Sequence, residues 1–342
     1  MAVRDHLPPV IRSPLSRLRT WSHDLVRLGL LGVLGAAADH LPRKHALALA
    51  TVAGRLDASW MFDDTGVRNE MLAAFALQGG AAVVAARTRA ARRYLDFVVY
   101  RRIRSGREDP ASWRVEERGA EVLDELRRSG DSFVIATGHF ARHPSYALWT
   151  GATIPHRIVG VTLPARDPSH PPSLGGRWGS THLALQLDVW GRAPDVEFLM
   201  VDNRLVAATL VARLRRPGTA VVISADAPIG PDHHAVDRRA FAGRTLQDFA
   251  LGTATIARVA GCPIVVCVPY LEPDGTVVLE WAGPITPATN GGVGEPTAAD
   301  IRVMDRILDE LERMIGRRPA QYVLPIGRER RWNPDTEGWE SP

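Results

Sequence analysis

Lysine is almost missing from this chain: Lys44 is the only one, and the rest of the 42 basic residues are arginine. An arginine surface suits carboxylate and phosphate partners, because the planar guanidinium grips both bidentately. No strong excess of one charge is present either. Against 38 acidic residues the formal net charge is only +4, which gives no ground for a nucleic-acid partner. Cysteine is limited to Cys262 and Cys267 in CPIVVC, whose spacing on a strand turns them to opposite faces. Both read as core residues rather than as a disulfide or a metal pair. Long apolar runs are lacking too. The run Leu28 to Ala38, flanked by Arg27 and Asp39, is far short of the ~20 residues a membrane span needs, and no secretory signal is read at the N-terminus. Internal repeats and low-complexity tracts are absent.

At 342 residues and 45% hydrophobic composition the chain can bury a large core. Helical periodicity dominates the first 130 residues, at roughly 15–38, 43–58, 67–104 and 117–129. The first of these mixes arginines with Trp21 and leucines, so it reads either as an amphipathic helix lying on a membrane surface or as a helix packed on the domain. A different grammar follows. DSFVIATG (131–138) is a short apolar run ended by glycine, with a helix expected from there through Leu148. Further buried strands are expected at 157–163, 196–201, 220–225, 263–271 and 276–282, with helices near 203–215, 248–260 and 297–316. The alternation predicts an α/β fold, a mixed and mostly parallel sheet covered by helices. Its parts are a helical N-terminal portion (1–130), an α/β core (131–331) and a tail (332–342). Residues 164–182, rich in proline and glycine, read as a binding loop or lid, or else as a disordered insertion.

The chemistry-bearing residues sit at strand ends. His139 follows a buried strand and a glycine, where ligands collect in such sheets, and an imidazole there can act as a general base. Asp226 lies just past another buried strand, in VVISADAPIG, and serves either a cleft or the loop that follows. His139 and His143 also stand four residues apart, a spacing that on a helix would suit a metal, with His182, His233, His234 or Asp226 completing it. That metal-hydrolase reading ranks behind the others and no metal is expected, because Phe140 stands where the metalloprotease pattern has glutamate.

Several segments, in order, resemble the lysophospholipid acyltransferase superfamily and, within it, the bacterial lipid A lauroyl/myristoyl acyltransferase branch. VRNEMLAAF (67–75) is similar to that family's Arg-x-x-x-Asn-Leu region, ATGHF (136–140) to its active-site strand and histidine, and VVISADAPIG (221–230) to its strand and aspartate turn. The stretch 241–285 resembles its Phe/Gly, helix and paired-strand run, and ELERMIGRRPAQYVLPIGRER (310–330) its closing segment. The resemblance spans about residues 27–331.

It implies a transferase of lipid biosynthesis in which His139 deprotonates a hydroxyl or amine that attacks the thioester of acyl-CoA or acyl carrier protein. Those thioesters are co-substrates, and no cofactor is implied. Backbone N–H groups at the start of the helix after His139 would steady the oxyanion. Arg166, Arg177 and Arg244 become candidates for the donor's phosphates or an acidic head group, and Tyr146 and Trp149 for the acyl groove. The acceptor would be a lipid, a glycolipid or a small metabolite. The place of work would be cytoplasmic, peripheral on the inner face of the cell membrane.

One departure stands out. The family pattern is histidine, four residues, then Asp or Glu, and Pro144 occupies that last position. Either Asp226 or Glu197 replaces the orienting carboxylate, or His143 or Ser145 assists, or the chain is a degenerate lipid- or partner-binding member of the fold.

Overall fold

The computed structural model describes residues 14–60, 80–140, 143–149, 154–162, 177–193, 196–200, 205–226, 236–241, 245–288, 297–322, 331–333 and 338–340. Arg166, His233, His234, Arg244 and most of the 164–182 loop lie outside them, and of Trp149 and Arg177 only the backbone is described.

Three long helices come first: α1 (Pro14–His40), α2 (Arg43–Trp60) and α3 (Gly80–Arg104). α2 and α3 pack closely because Gly54 has no side chain; a Cβ there would stand 2.2 Å from the Ala91 Cα. Leu31, Leu34, Tyr94, Phe97 and Val98 build the core these helices share with Tyr146 and with α6 (Arg177–Trp190).

The remaining described elements are α/β. They run β1 (Val115–Arg118), α4 (Asp124–Ser129), β2 (Phe133–Thr137), α5 (Ser145–Trp149), β3 (Arg157–Thr162), α6, β4 (Val196–Met200), α7 (Val206–Leu214) and β5 (Thr219–Ser224). Then come β6 (Val236–Phe241), β7 (Thr245–Ala250), α8 (Gly252–Ala260), β8 (Ile264–Leu271), β9 (Val277–Ile285), α9 (Ala298–Arg317) and a small hairpin, β10 (Arg331–Asn333) with β11 (Gly338–Glu340). A seven-stranded sheet has the order β1-β9-β8-β2-β5-β3-β4, parallel throughout except where β8 meets β9. The α/β, mostly parallel character expected from the apolar runs is therefore present.

Both sheet faces are covered, which is why β2 reads as an unbroken apolar run. Val134, Ala136, Val221, Ile264 and Val266 face the core under α7, α8 and α9. Their neighbours Phe133, Ile135, Val222, Val265 and Cys267 face the opposite core with Leu123, Leu126 and Leu148. Cys262 and Cys267 are free, buried and divided between these two cores. α9 is fixed at its N-terminus by a Thr297/Asp300 capping box, and Asp300 also holds Arg258 of α8 in a buried 2.8 Å ion pair.

Three expectations need correction. Residues 117–129 are not one helix: VEER (115–118) forms an edge strand beside β9, so the sheet begins before residue 131. The helix expected from 248 starts at Gly252, since 245–250 pairs with β6 in an antiparallel hairpin. The helix after His139 begins only at Ser145. Proline fits a helix start but not its interior, so Pro144 delays the helix by most of two turns.

Candidate active site

β2 and β5 are parallel neighbours with Thr137 opposite Ser224, and the Ala225 N–H donates to the Thr137 carbonyl at 2.8 Å. Two residues further along each strand, the same register puts His139 beside Asp226. The contact is direct and double: the His139 backbone N–H donates to Asp226 Oδ2 at 2.8 Å, and His139 Nδ1 lies 2.7 Å from Asp226 Oδ1. The carboxylate side chain is fully buried, whereas the imidazole keeps 35% of its surface exposed.

Gly138 makes this approach possible. A Cβ there would stand 3.2 Å from Asp226 Oδ2 and 3.5 Å from Leu311 of α9, closer to the carboxylate than ordinary packing permits. Phe140 then turns into the core, edge-on to Tyr322 at 5.6 Å. Burial by itself would raise the Asp226 pKa. The charge of His139, its ring and backbone N–H groups and the Tyr322 hydroxyl together outweigh burial and hold the carboxyl below its ordinary range. In the neutral form of the ring, an ionised Asp226 accepts from Nδ1–H and so puts the lone pair on Nε2, the tautomer a general base requires.

His143 has a partner of its own. Its Nδ1 is 2.5 Å from Asp96 Oδ1, and its backbone N–H donates to the same oxygen at 3.2 Å. Asp96 projects from α3 and is buried; burial pushes its pKa up, but His143, Arg92 and His182 more than reverse this, so it is held below the ordinary range. The stretch between the two histidines is thus tied at both ends by buried carboxylates.

The two histidines do not share a helix face, since the helix begins at Ser145 and each ring is turned to a different carboxylate. The helical metal arrangement is accordingly absent, and no group of three metal-ligating side chains occurs among the described residues. Glu197 is also not the orienting carboxylate. It lies level with Val159, Val221 and Val134, at the opposite end of β2 from His139 and three strands across, ~14 Å at the usual strand spacing. There it holds Arg213 at 2.8 Å and Arg157 at 3.0 Å. His143, committed to Asp96, makes no contact with the His139 ring. Ser145 opens α5, and Tyr146 is buried in the helical core against Trp113.

Among the described residues, five of the backbone N–H groups in this stretch already have acceptors. The N–H groups of His139 and His143 go to carboxylates, and those of Phe140, Tyr146 and Ala147 to the carbonyls of Gly138, His143 and Pro144. Asp96 was missed from sequence, although a lone carboxylate in YLDFVVY is a signal: an acid within an apolar helical run needs a buried partner.

No protein-family model matches the chain, and no curated protein matches it.

Proposed function

We propose that this chain is an acyltransferase of the lysophospholipid acyltransferase type, similar to the lipid A lauroyl/myristoyl branch, with His139 as general base. The observation that carries the reading is the His139–Asp226 pair at the C-terminal ends of adjacent parallel strands, where such sheets bind ligands. Pro144 was the argument for a degenerate, binding-only protein. Asp226 supports the active reading instead, because a buried carboxylate from the neighbouring strand lies against His139 Nδ1 and can serve the orienting role that Pro144 cannot.

In the proposed reaction Nε2 of His139 takes the proton of an acceptor hydroxyl or amine as its oxygen or nitrogen attacks the thioester carbonyl. The carbon–sulfur bond breaks, and the imidazolium returns the proton to the departing thiolate, giving acylated acceptor and free thiol. Asp226 fixes the tautomer and balances the transient imidazolium charge.

The acyl donor would be acyl-CoA or acyl carrier protein, and the acceptor a lipid, glycolipid or small metabolite. Among the described residues no helix is long and apolar enough to cross a membrane. An exposed apolar face nevertheless runs over the first helices: Val26 and Val33 on α1, and Leu49, Val52 and Leu56 at helical spacing on α2. This supports a protein lying on a membrane surface. The reading is tested by following thiol release from acyl-CoA and acyl carrier protein thioesters with a panel of acceptors. Release that depends on acceptor and is lost in His139→Ala supports it, and equal release by both proteins overturns it.

A further inference from the structure

At the end of the sheet that leads into His139, a cleft of about 330 Å³ opens between the α1–α2 corner, the segment that precedes β1 and the β8–β9 turn. Arg43, Arg107, Arg114, Ser112, Trp113 and His143 line it, with Leu271, Gly275 and Val277 forming the far wall. We propose that this cleft is a binding site for a phosphate ester, separate from the His139–Asp226 pair and independent of whether acyl transfer takes place.

The lining sets Arg43, Arg107 and Arg114 against Glu108 and Asp109, a small positive excess, and the pairing of those groups decides which guanidiniums are left for a phosphate. Glu108 also borders the cleft, but its carboxylate is consumed by Arg43 at 2.8 Å, Arg102 at 3.2 Å and the Trp113 Nε1–H at 3.1 Å. Asp109 accepts the Ala111 N–H at 2.9 Å and so caps the short turn that shapes the rim. Arg114 meets Asp274 only at 3.6 Å, with both side chains largely in solvent. Arg107 forms no ion pair among the described residues. Two guanidinium forks therefore retain free donors, and a third, Arg43, is only partly engaged. Planar forks of this kind bind phosphate oxygens bidentately.

The floor is prepared in the same sense. His143 borders the cleft with Nδ1 committed to the buried Asp96, so Nε2 is the ring nitrogen through which it would meet a ligand. Nε2 accepts from a protonated phosphate oxygen or, in the imidazolium form, donates to an ionised one. Trp113 stands edge-to-face against the His143 ring at 6.0 Å, and its indole adds an apolar wall for the organic part of an ester.

The test is isothermal titration calorimetry of the full chain with pyrophosphate at low salt. The variants are the double Arg107→Ala/Arg114→Ala and, as a control on α6, Arg192→Ala. All three arginines are exposed, so the fold is retained. Saturable binding, weakened about tenfold in the double variant and unchanged in the control, is the expected result. Absence of saturable binding, or equal binding by the double variant, overturns the inference. Displacement of pyrophosphate by coenzyme A assigns a soluble phosphate ester. Displacement by vesicles carrying phosphatidic acid, but not by phosphatidylcholine vesicles, assigns a lipid head group. Displacement by neither overturns the assignment to an ester.

Discussion

Replacing Asp226 with asparagine keeps the shape of the site and changes only its hydrogen-bonding sense. The native carboxylate accepts from the His139 backbone N–H at 2.8 Å and from Nδ1 at 2.7 Å. An asparagine that keeps its oxygen on the backbone N–H turns its NH2 toward Nδ1. The imidazole must then carry its proton on Nε2, where the base's lone pair is needed. The flipped amide sets an N–H against the backbone N–H instead, an unsatisfied buried donor costing ~1–3 kcal/mol. In serine proteases the comparable exchange lowers turnover by ~10⁴, and a loss of ~10³–10⁴ is expected here. Stability should change less, by about 1–3 kcal/mol, because losing charged hydrogen bonds is offset by no longer burying a charge. Thiol release measures turnover, and ¹⁵N NMR of the His139 ring reports the tautomer. A variant that keeps more than a tenth of native turnover, or the native tautomer, would refute the reasoning.

Gly138→Ala should push the Asp226 carboxylate aside by a few tenths of an ångström, since its Cβ would meet Oδ2 at 3.2 Å. Turnover should fall at least tenfold for a stability loss of about 1–3 kcal/mol, read by thiol release and urea denaturation. Glu197→Gln should leave turnover unchanged and lower stability by no more than about 1 kcal/mol, because its pairs with Arg213 and Arg157 are part-exposed. Asp96 and Asp226 both have pKa values held below the ordinary carboxylate value, so the unfolded chain binds more protons than the native one as pH drops. Their stabilisation is complete above about pH 4 and is lost as pH falls further, so urea midpoints should decline below that point and decline less in Asp226→Asn. Val52→Asp/Leu56→Asp, on the exposed face of α2, should leave the urea midpoint within about 0.5 kcal/mol of native and abolish co-sedimentation with anionic vesicles.

The sheet was readable because its strands are buried on both faces: VIA in β2, VVI in β5 and VVCV in β8 are apolar at every position, a pattern that needs no partner to recognise. β1, β6 and β7 were missed for the converse reason. VEER, VDRRAF and TLQDFA carry charges and lack a clean alternation, so only the pairing of β1 with β9 and of β6 with β7 makes them strands. His139 and Asp226 were each visible as a polar group after an apolar run, but their contact depends on β5 lying next to β2. The chain visits β3 and β4 between those two strands, and strand order of that kind is decided by long-range packing. Pro144 was legible as a departure, yet its effect on where α5 starts outweighed the apolar pattern that suggested a continuous helix.

The central claim, that His139 acts as the base of an acyl transfer, is tested most directly by intact-mass spectrometry. Candidate lipid, glycolipid and amine acceptors are incubated with acyl-CoA or acyl carrier protein and either native protein or His139→Ala. The account predicts an acceptor that gains one acyl mass with native protein alone. Acylation by both proteins, or by neither while both still bind the acyl donor, would contradict it.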